Sequence, residues 1–322
     1  MLRYMIRRLL WALVLFLAVT IVSYILFYII PADPAKQACG QACTASDVAR
    51  VRHNLGLDRS IGYQYWHFLD QLVFHFNLGR SYYNRESVNQ LVGDAAPVTA
   101  SLVFGGAIIW MLIALPIGVL SALRPRSMMD RASMTFVLIG ISAHPIWIGL
   151  IFAYFIGYKW GITPITGYAD FFNPAPGQPG GPVQWAYHMI LPWLTFAILF
   201  AALYVRMIRA NVLDTMNEDY VRTARAKGAP ENTVLRSHIL RNALLPIVTM
   251  LGMDIGLALG GAVFTETVYS LPGLGNTAVR ALFNYDTPTV QGIIVFATMA
   301  IIVFNLVVDL LYAWIDPRIR LT

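Results

Sequence analysis

The sequence predicts an all-α membrane protein with six transmembrane helices, and three observations carry that prediction. Hydrophobic residues make up 57% of the chain and charged residues 12%, far from the composition of a soluble globular domain. The apolar residues are clustered in charge-free stretches of about 18 or more, near the length a helix needs to cross a hydrocarbon core of about 30 Å. No stretch shows the alternating pattern of a membrane-barrel strand, and backbone groups in lipid must be satisfied within their own segment, so the spans are helices.

Taken in order, the spans are residues 9–30, 98–123, 134–158, 189–205, 243–264 and 290–315. The first follows Arg3, Arg7 and Arg8, as the apolar part of a signal peptide would. Its run continues to Ile30 before Pro31, beyond the roughly 7 to 15 residues of a signal h-region. Lys36-Gln37-Ala38 ahead of Cys39 is not a lipoprotein cleavage sequence either, so residues 1–30 are read as a retained anchor helix.

Basic residues set the orientation. Arg3, Arg7 and Arg8, then Arg124, Arg126 and Arg131, then the Arg- and Lys-rich stretch 206–243, and finally Arg318 and Arg320 all fall on one side. The positive-inside rule makes that side cytoplasmic, with both termini on it. The exterior side receives 31–97, the Gly/Pro-rich 160–187, and 265–289. The first of these is too long for a turn and carries Ile61, Tyr65, Phe68, Leu69 and Leu72 at helical spacing, which predicts a small exterior subdomain of short helices over 31–97. Both cysteines, Cys39 and Cys43, lie in it; a local disulfide and two free thiols both fit, and the pair supplies too few ligands for a metal site. Residues 98–322 form a five-helix core.

The most informative connection is 206–243. Glu218 and Asp219 suit a helix start, Arg225 and Lys227 its end, and Gly228 the left-handed residue that closes it. Pro230 with Glu231 suits the start of a second helix leading into the fifth span. The pattern is a sharp helix-turn-helix elbow. Ala224 and Gly228, four apart, are expected on one side of the first helix, where small residues allow close approach by another surface.

These residues resemble the oligopeptide and dipeptide branch of binding-protein-dependent ABC importer permeases. That branch has an Asp-Tyr-Val-Arg-Thr-Ala-Arg-Ala-Lys-Gly loop, found here from Asp219 to Gly228, and a His-x-Leu-Arg-Asn-Ala-Leu-x-Pro stretch, found from His238 to Pro246. The general importer loop has Glu-Ala-Ala where this chain has Arg222-Thr223-Ala224, a departure the peptide branch shares; position 241 also lacks the general pattern's proline. Further similarity lies in the opening from Tyr4 to Leu10, which resembles the branch's Arg-Arg-Leu start, in Leu55-Gly56-Leu57-Asp58, Leu78-Gly79-Arg80-Ser81, the run from Glu266 to Gly275, and Asp316-Pro317-Arg318.

The resemblance implies a type I ABC importer permease fold, working with a second permease subunit, cytoplasmic ATPase subunits and an exterior solute-binding protein. It implies that Asp219, Tyr220, Arg222, Thr223, Ala224, Arg225, Lys227 and Gly228 form the coupling helix that docks on an ATPase subunit. It favours di- or oligopeptides, while relatives with similar loops carry nickel complexes, glutathione or sugars. The chain has no G-x4-G-K-[ST] phosphate loop, so ATP and Mg are expected on the partner ATPase subunits and no cofactor on this chain.

Asp254, a carboxylate inside the fifth span, is read either as part of the translocation path or as a group hydrogen-bonded to a neighbouring helix. Gly252, Gly256, Gly260 and Gly261 suit close packing of that span. For His144 before Pro145, and for Asn305 and Asp309 in the last span, packing or capping is favoured over transport. The Pro and Gly punctuation from Glu266 through Pro272 and Gly273 suits a turn-rich segment gating the exterior mouth. Two rival readings are a proton-coupled secondary transporter using Asp254 and an intramembrane hydrolase using His144 or Asp254. The first lacks paired intramembrane carboxylates and an inverted repeat; the second lacks H-E-x-x-H and G-x-S-x-G. The net charge of +6 reflects loop bias rather than nucleic-acid binding.

Overall fold

The computed structural model describes residues 2–29, 34–39, 43–54, 57–172, 180–260 and 262–315. Pro31, Leu55, Gly56, Gly261 and the tail with Asp316, Pro317, Arg318 and Arg320 lie outside them, as does the side chain of Asp309. The regular structure of the described residues is helical, without strands: α1 Leu2–Tyr24, α2 Pro34–Cys39, α3 Ala45–Asn54, α4 Ile61–Phe74, α5 Val88–Leu123, α6 Met128–Ser142, α7 Pro145–Phe152, α8 Pro182–Met216, α9 Asp219–Ala226, α10 Glu231–Thr233, α11 Arg241–Ala243, α12 Leu245–Leu259, α13 Val263–Val268, α14 Leu274–Phe283 and α15 Thr287–Ile315. Wider π-helical turns continue α1 over Ile25–Ile29 and α7 over Ala153–Lys159, and join α10 to α11 over Val234–Leu240.

Among the described residues, four stretches are long and apolar enough to span a membrane unbroken: Ile6–Ile29, Val88–Leu123, Pro182–Met216 and Thr287–Val308. The expected third and fifth spans are not straight helices. The third is two helices meeting at 106°, the fifth two meeting at 43°, and counting each pair once gives six spans. The third breaks where Pro145 forces the residue before it out of the helical region: His144 has ψ 139°, and its Nδ1 accepts from the Ile146 N–H at 3.3 Å to start the next helix.

By contact the chain forms two units. The first holds the described residues up to Thr99, with Leu259–Val263 and Pro272–Leu306. Here α4 lies along the end of α1: the Tyr65 hydroxyl meets Thr20 Oγ1 at 3.0 Å, the Tyr24 hydroxyl donates to Gln64 Oε1 at 3.1 Å, and the Tyr24 ring packs on those of Tyr65 and Phe68. Of the residues at helical spacing, Ile61, the first residue of α4, is exposed and Leu72 is buried. Cys39 and Cys43 are joined by a disulfide with Cα atoms 6.0 Å apart. The Leu78-Gly79-Arg80-Ser81 motif is held by a buried carboxylate: Asp286 accepts from Ser81 Oγ at 2.5 Å, Thr289 Oγ1 at 2.6 Å and the Tyr82 N–H at 2.8 Å. Below it Val88, Val92, Ala95, Leu274 and Ile293 form an apolar core.

The second unit comprises Ala100–Ala258, Phe264–Leu271 and the described residues from Val307. Its axis is α8, whose buried side includes Ala197, Ala201, Ala202, Val205, Ile208 and Val212. Neighbours approach it where they carry glycine. A Cβ on Gly140 of α6 would lie 2.5 Å from Ala202 Cβ, and one on Gly118 of α5 would lie 2.8 Å from Ile208 Cβ, so no larger residue fits without moving a helix.

Candidate functional site: the elbow after α8 and its stem

α8 outlasts its apolar stretch by more than two turns and ends at Met216, where the Asn217 N–H bonds back to Asp214 O. Glu218, extended at φ −68° and ψ 145°, is the N-cap of α9, although its side chain makes no capping bond. α9 buries Val221 and Ala224 and turns Asp219, Tyr220, Arg222, Thr223, Arg225 and Lys227 outward. Arg222 lies 3.7 Å from Asp219, an exposed pair of little energetic weight.

The helix stops in a full Schellman arrangement. The Ala229 N–H bonds to Ala224 O at 3.3 Å and the Gly228 N–H to Arg225 O at 2.9 Å, with Gly228 at φ +77°. Gly228 therefore serves the backbone turn. Nothing lies within 4 Å of the position its Cβ would take, and Ala224 is buried within the chain, so the two small residues do not form the joint approach surface expected from their spacing. The geometric reason is that Gly228 has left the helix, and the i, i+4 relation holds only inside one.

A second helical stretch begins at once. Pro230 caps it, its carbonyl accepting from Thr233 N at 2.8 Å, and the elbow is closed by a two-pronged ion pair: Arg225 Nη2 donates to Glu231 Oε1 at 2.6 Å and Arg225 Nε to Oε2 at 3.2 Å. The Arg225 guanidinium holds the Glu231 carboxyl below its ordinary range, and the carboxylate raises Arg225 in turn. Asn242 Nδ2 donates to the Tyr220 hydroxyl at 3.0 Å, tying α9 to the far limb of the elbow.

Two turns back along α8 lies a group that sequence reasoning missed. Arg209 grips Asp130 of α6 with Nε on Oδ1 at 2.7 Å and Nη2 on Oδ2 at 2.9 Å. The same carboxylate accepts from Ser121 Oγ of α5 at 2.5 Å and from the Arg126 N–H at 2.8 Å. Asp130 is buried and Arg209 a quarter exposed. Arg126 itself is held at φ +63°, a conformation a non-glycine residue adopts at a cost of about 1 to 2 kcal/mol. The only sequence signal for this cluster was one acidic residue in an otherwise basic connection.

Of the residues named for a path or gate, Asp254 and Glu266 belong to the second unit and Pro272 and Gly273 to the first. Asp254, half-buried, accepts a 2.6 Å bond from the hydroxyl of Tyr204 on α8, which lies fully buried in a ring cluster with Trp110, Phe196 and Phe200. Gly252 packs directly under Val308. Glu266 is fully buried on α13, and its backbone oxygen accepts from Leu271 N. Tyr269 of the same motif pins three segments: its hydroxyl lies 2.8 Å from Thr195 Oγ1 and donates to Gly149 O at 3.1 Å, and its carbonyl accepts from Gly167 N. In the first unit Pro272 is exposed and Gly273 buried at the start of α14. His144 caps α7 and meets Phe264 edge to face at 5.0 Å, and Asn305 is half-buried.

The family described as binding-protein-dependent transport system inner membrane component matches residues 114–321, and its N-terminal companion matches 1–103. The chain is 34% identical over 314 residues to a putative peptide transport system permease protein of Brucella abortus, covering 98% of each. It is 34% identical over 337 residues to a dipeptide transport system permease protein of Escherichia coli, covering 99% of each, and 37% identical over 332 residues to a putative peptide permease protein of Brucella suis, covering 100% of each. Among solved structures, inward-facing forms of the MetNI methionine ABC transporter match with TM-scores of 0.54 and 0.56 at 18% and 17% identity, covering 70% of this chain and 97% of theirs.

Proposed function

We propose, from the premise that this chain belongs to the family of binding-protein-dependent transport system inner membrane components, that the elbow at α9 is where the permease takes its drive from an ATPase partner. The chain is an ABC importer permease with a type I fold. Its cargo is di- or oligopeptides, a reading supported by relatives named as peptide and dipeptide permeases that match it nearly end to end. ATP and Mg are bound on partner ATPase subunits, a second permease subunit completes the path, and a solute-binding protein delivers cargo on the side opposite the elbow. The elbow and both termini face the cytoplasm, in line with the basic residues at the N-terminus, in the α5–α6 turn and around α9.

One observation carries the coupling assignment. α9 is an eight-residue helix standing at a chain reversal, buried along Val221 and Ala224 and presenting Tyr220, Arg222, Thr223, Arg225 and Lys227. A helix too short to be stable alone is held here at its C-terminal end by the Schellman turn and the Arg225–Glu231 pair, and near its start by the Asn242–Tyr220 bond, so a partner pressing on it moves the stem rather than unwinding it. Asp254 and Glu266 are the carboxylates assigned to the path or its gate, with Pro272 and Gly273 at the exterior mouth. Asp254 does double duty as the acceptor that ties α12 to α8.

Affinity purification of the tagged chain from its native membrane, beside an Arg222→Glu, Gly228→Pro double variant, tests the assignment. Proline cannot adopt φ +77° and Glu reverses the outward charge. The native chain should bring ATPase subunits with it and the folded variant should lose them. Equal recovery from both, or ATP-independent uptake by the native chain alone, would defeat it.

A further inference from the structure

We propose that Asp130 is the positioning residue of the coupling movement: through Arg209 it fixes the α5–α6 turn to the stem of α8, so that α5, α6 and α8 travel as one body when α9 is displaced. The inference rests on α9 being the coupling element, and goes beyond it by naming what keeps the stem in register.

Two kinds of contact hold α8 to its neighbours. Along most of its length the contacts are apolar, with glycine at the tightest points, Gly118 against Ile208 and Gly140 against Ala202. Apolar contacts are non-directional, and a smooth small-residue seam resists separation better than sliding. The clamp is directional. A bidentate guanidinium–carboxylate pair fixes both distance and plane, and the four bonds to the Asp130 carboxylate come from three points: two from Arg209 on α8, one from Ser121 on α5 and one from the Arg126 amide in the turn. One carboxylate thus ties two spans and their connection to the third. Arg209 stands seven residues before the end of α8 at Met216, about 10 Å along the axis at 1.5 Å per residue, so it grips the lever close to where α9 joins it.

With that end locked, the movement has two places to go within the same unit. The chain bends by 106° between Ser142 and Pro145 and by 43° between Ala243 and Leu245. These are the joints; the α5–α6–α8 body is the rigid part between them.

The test uses spin labels at Met128→Cys, at the start of α6, and Asp214→Cys, near the end of α8, both exposed positions, in the assembled complex with its ATPase subunits. The native cysteines are paired in a disulfide and do not compete for label. The distance distribution should be the same without nucleotide and with ATP trapped by vanadate. In Asp130→Asn it should broaden or shift on trapping by about 5 Å, one helical turn of slip. A change in the native clamp on trapping, or an unmoved distribution in Asp130→Asn, would overturn the proposal. If Asp130→Asn does not assemble, Arg209→Lys decides by the same criteria, since it keeps the charge and loses the two-pronged geometry. Should α9 not be the coupling element, Arg222→Glu would still retain the ATPase subunits, an outcome separate from any change in this distance.

Discussion

Replacing Asp286 by Ala should loosen the loop 78–87 while leaving the spans in place. The carboxylate is 4% exposed and receives Ser81 Oγ, Thr289 Oγ1 and the Tyr82 N–H. Hydrogen bonds to a charged group contribute about 1.5 to 3 kcal/mol each, and a buried donor left unpaired costs about 1 to 3 kcal/mol. Thr289 is three residues from Asp286 and can turn to a nearby carbonyl, so the loss falls on Ser81 and Tyr82. Because the two share one acceptor their costs do not add fully, and the net effect on the loop is about 3 to 4 kcal/mol. At about 1.4 kcal/mol per tenfold, amide exchange at Tyr82 should accelerate by two to three orders of magnitude, read by hydrogen exchange and mass spectrometry on the segment 78–88. Asp286→Asn, which keeps one acceptor oxygen for the Tyr82 N–H, should fall between. An acceleration below tenfold for Asp286→Ala would refute the view that this carboxylate holds the loop.

Two further predictions concern the second unit. Gly140→Leu should prevent the α6–α8 contact, since even a Cβ there would sit 2.5 Å from Ala202; a thermal unfolding midpoint in detergent lowered by several degrees is expected, and Gly140→Ala combined with Ala202→Gly should recover much of it. For the elbow, Glu231 has a pKa depressed by Arg225, so its contribution is fully present above its ordinary value of 4.5 and is lost as pH falls through the lowered folded value. A spin-label distance across the elbow should stay constant from neutral pH down to that value and broaden only below it, whereas in Glu231→Gln it should show no such transition.

The spans were legible because lipid leaves no alternative to a long apolar helix, but their ends were not. The fourth span was read as 189–205 and is Pro182–Met216, because hydropathy sees only the stretch in lipid while the backbone ladder continues past Arg206 and Arg209. Pro145 was visible, yet an apolar run on both sides hid a break of 106°. At the elbow, the positions of Pro230 and Gly228 gave both helices correctly. Ala224 faced the wrong way because it was aligned with a glycine that lies beyond the helix. Asp130 and Arg209 are 79 residues apart, and two charges that each read as loop decoration give no local sign that folding will bury them together.

The most direct measurement of the central claim is photo-cross-linking from α9 in the native membrane, with a benzophenone amino acid placed at Thr223, which points outward, and in a parallel chain at Val221, which is buried. A covalent adduct with an ATPase subunit is expected from Thr223, and only internal or no adducts from Val221. An adduct pattern from Thr223 containing lipid alone, or the same ATPase adduct from both positions, would contradict the central claim.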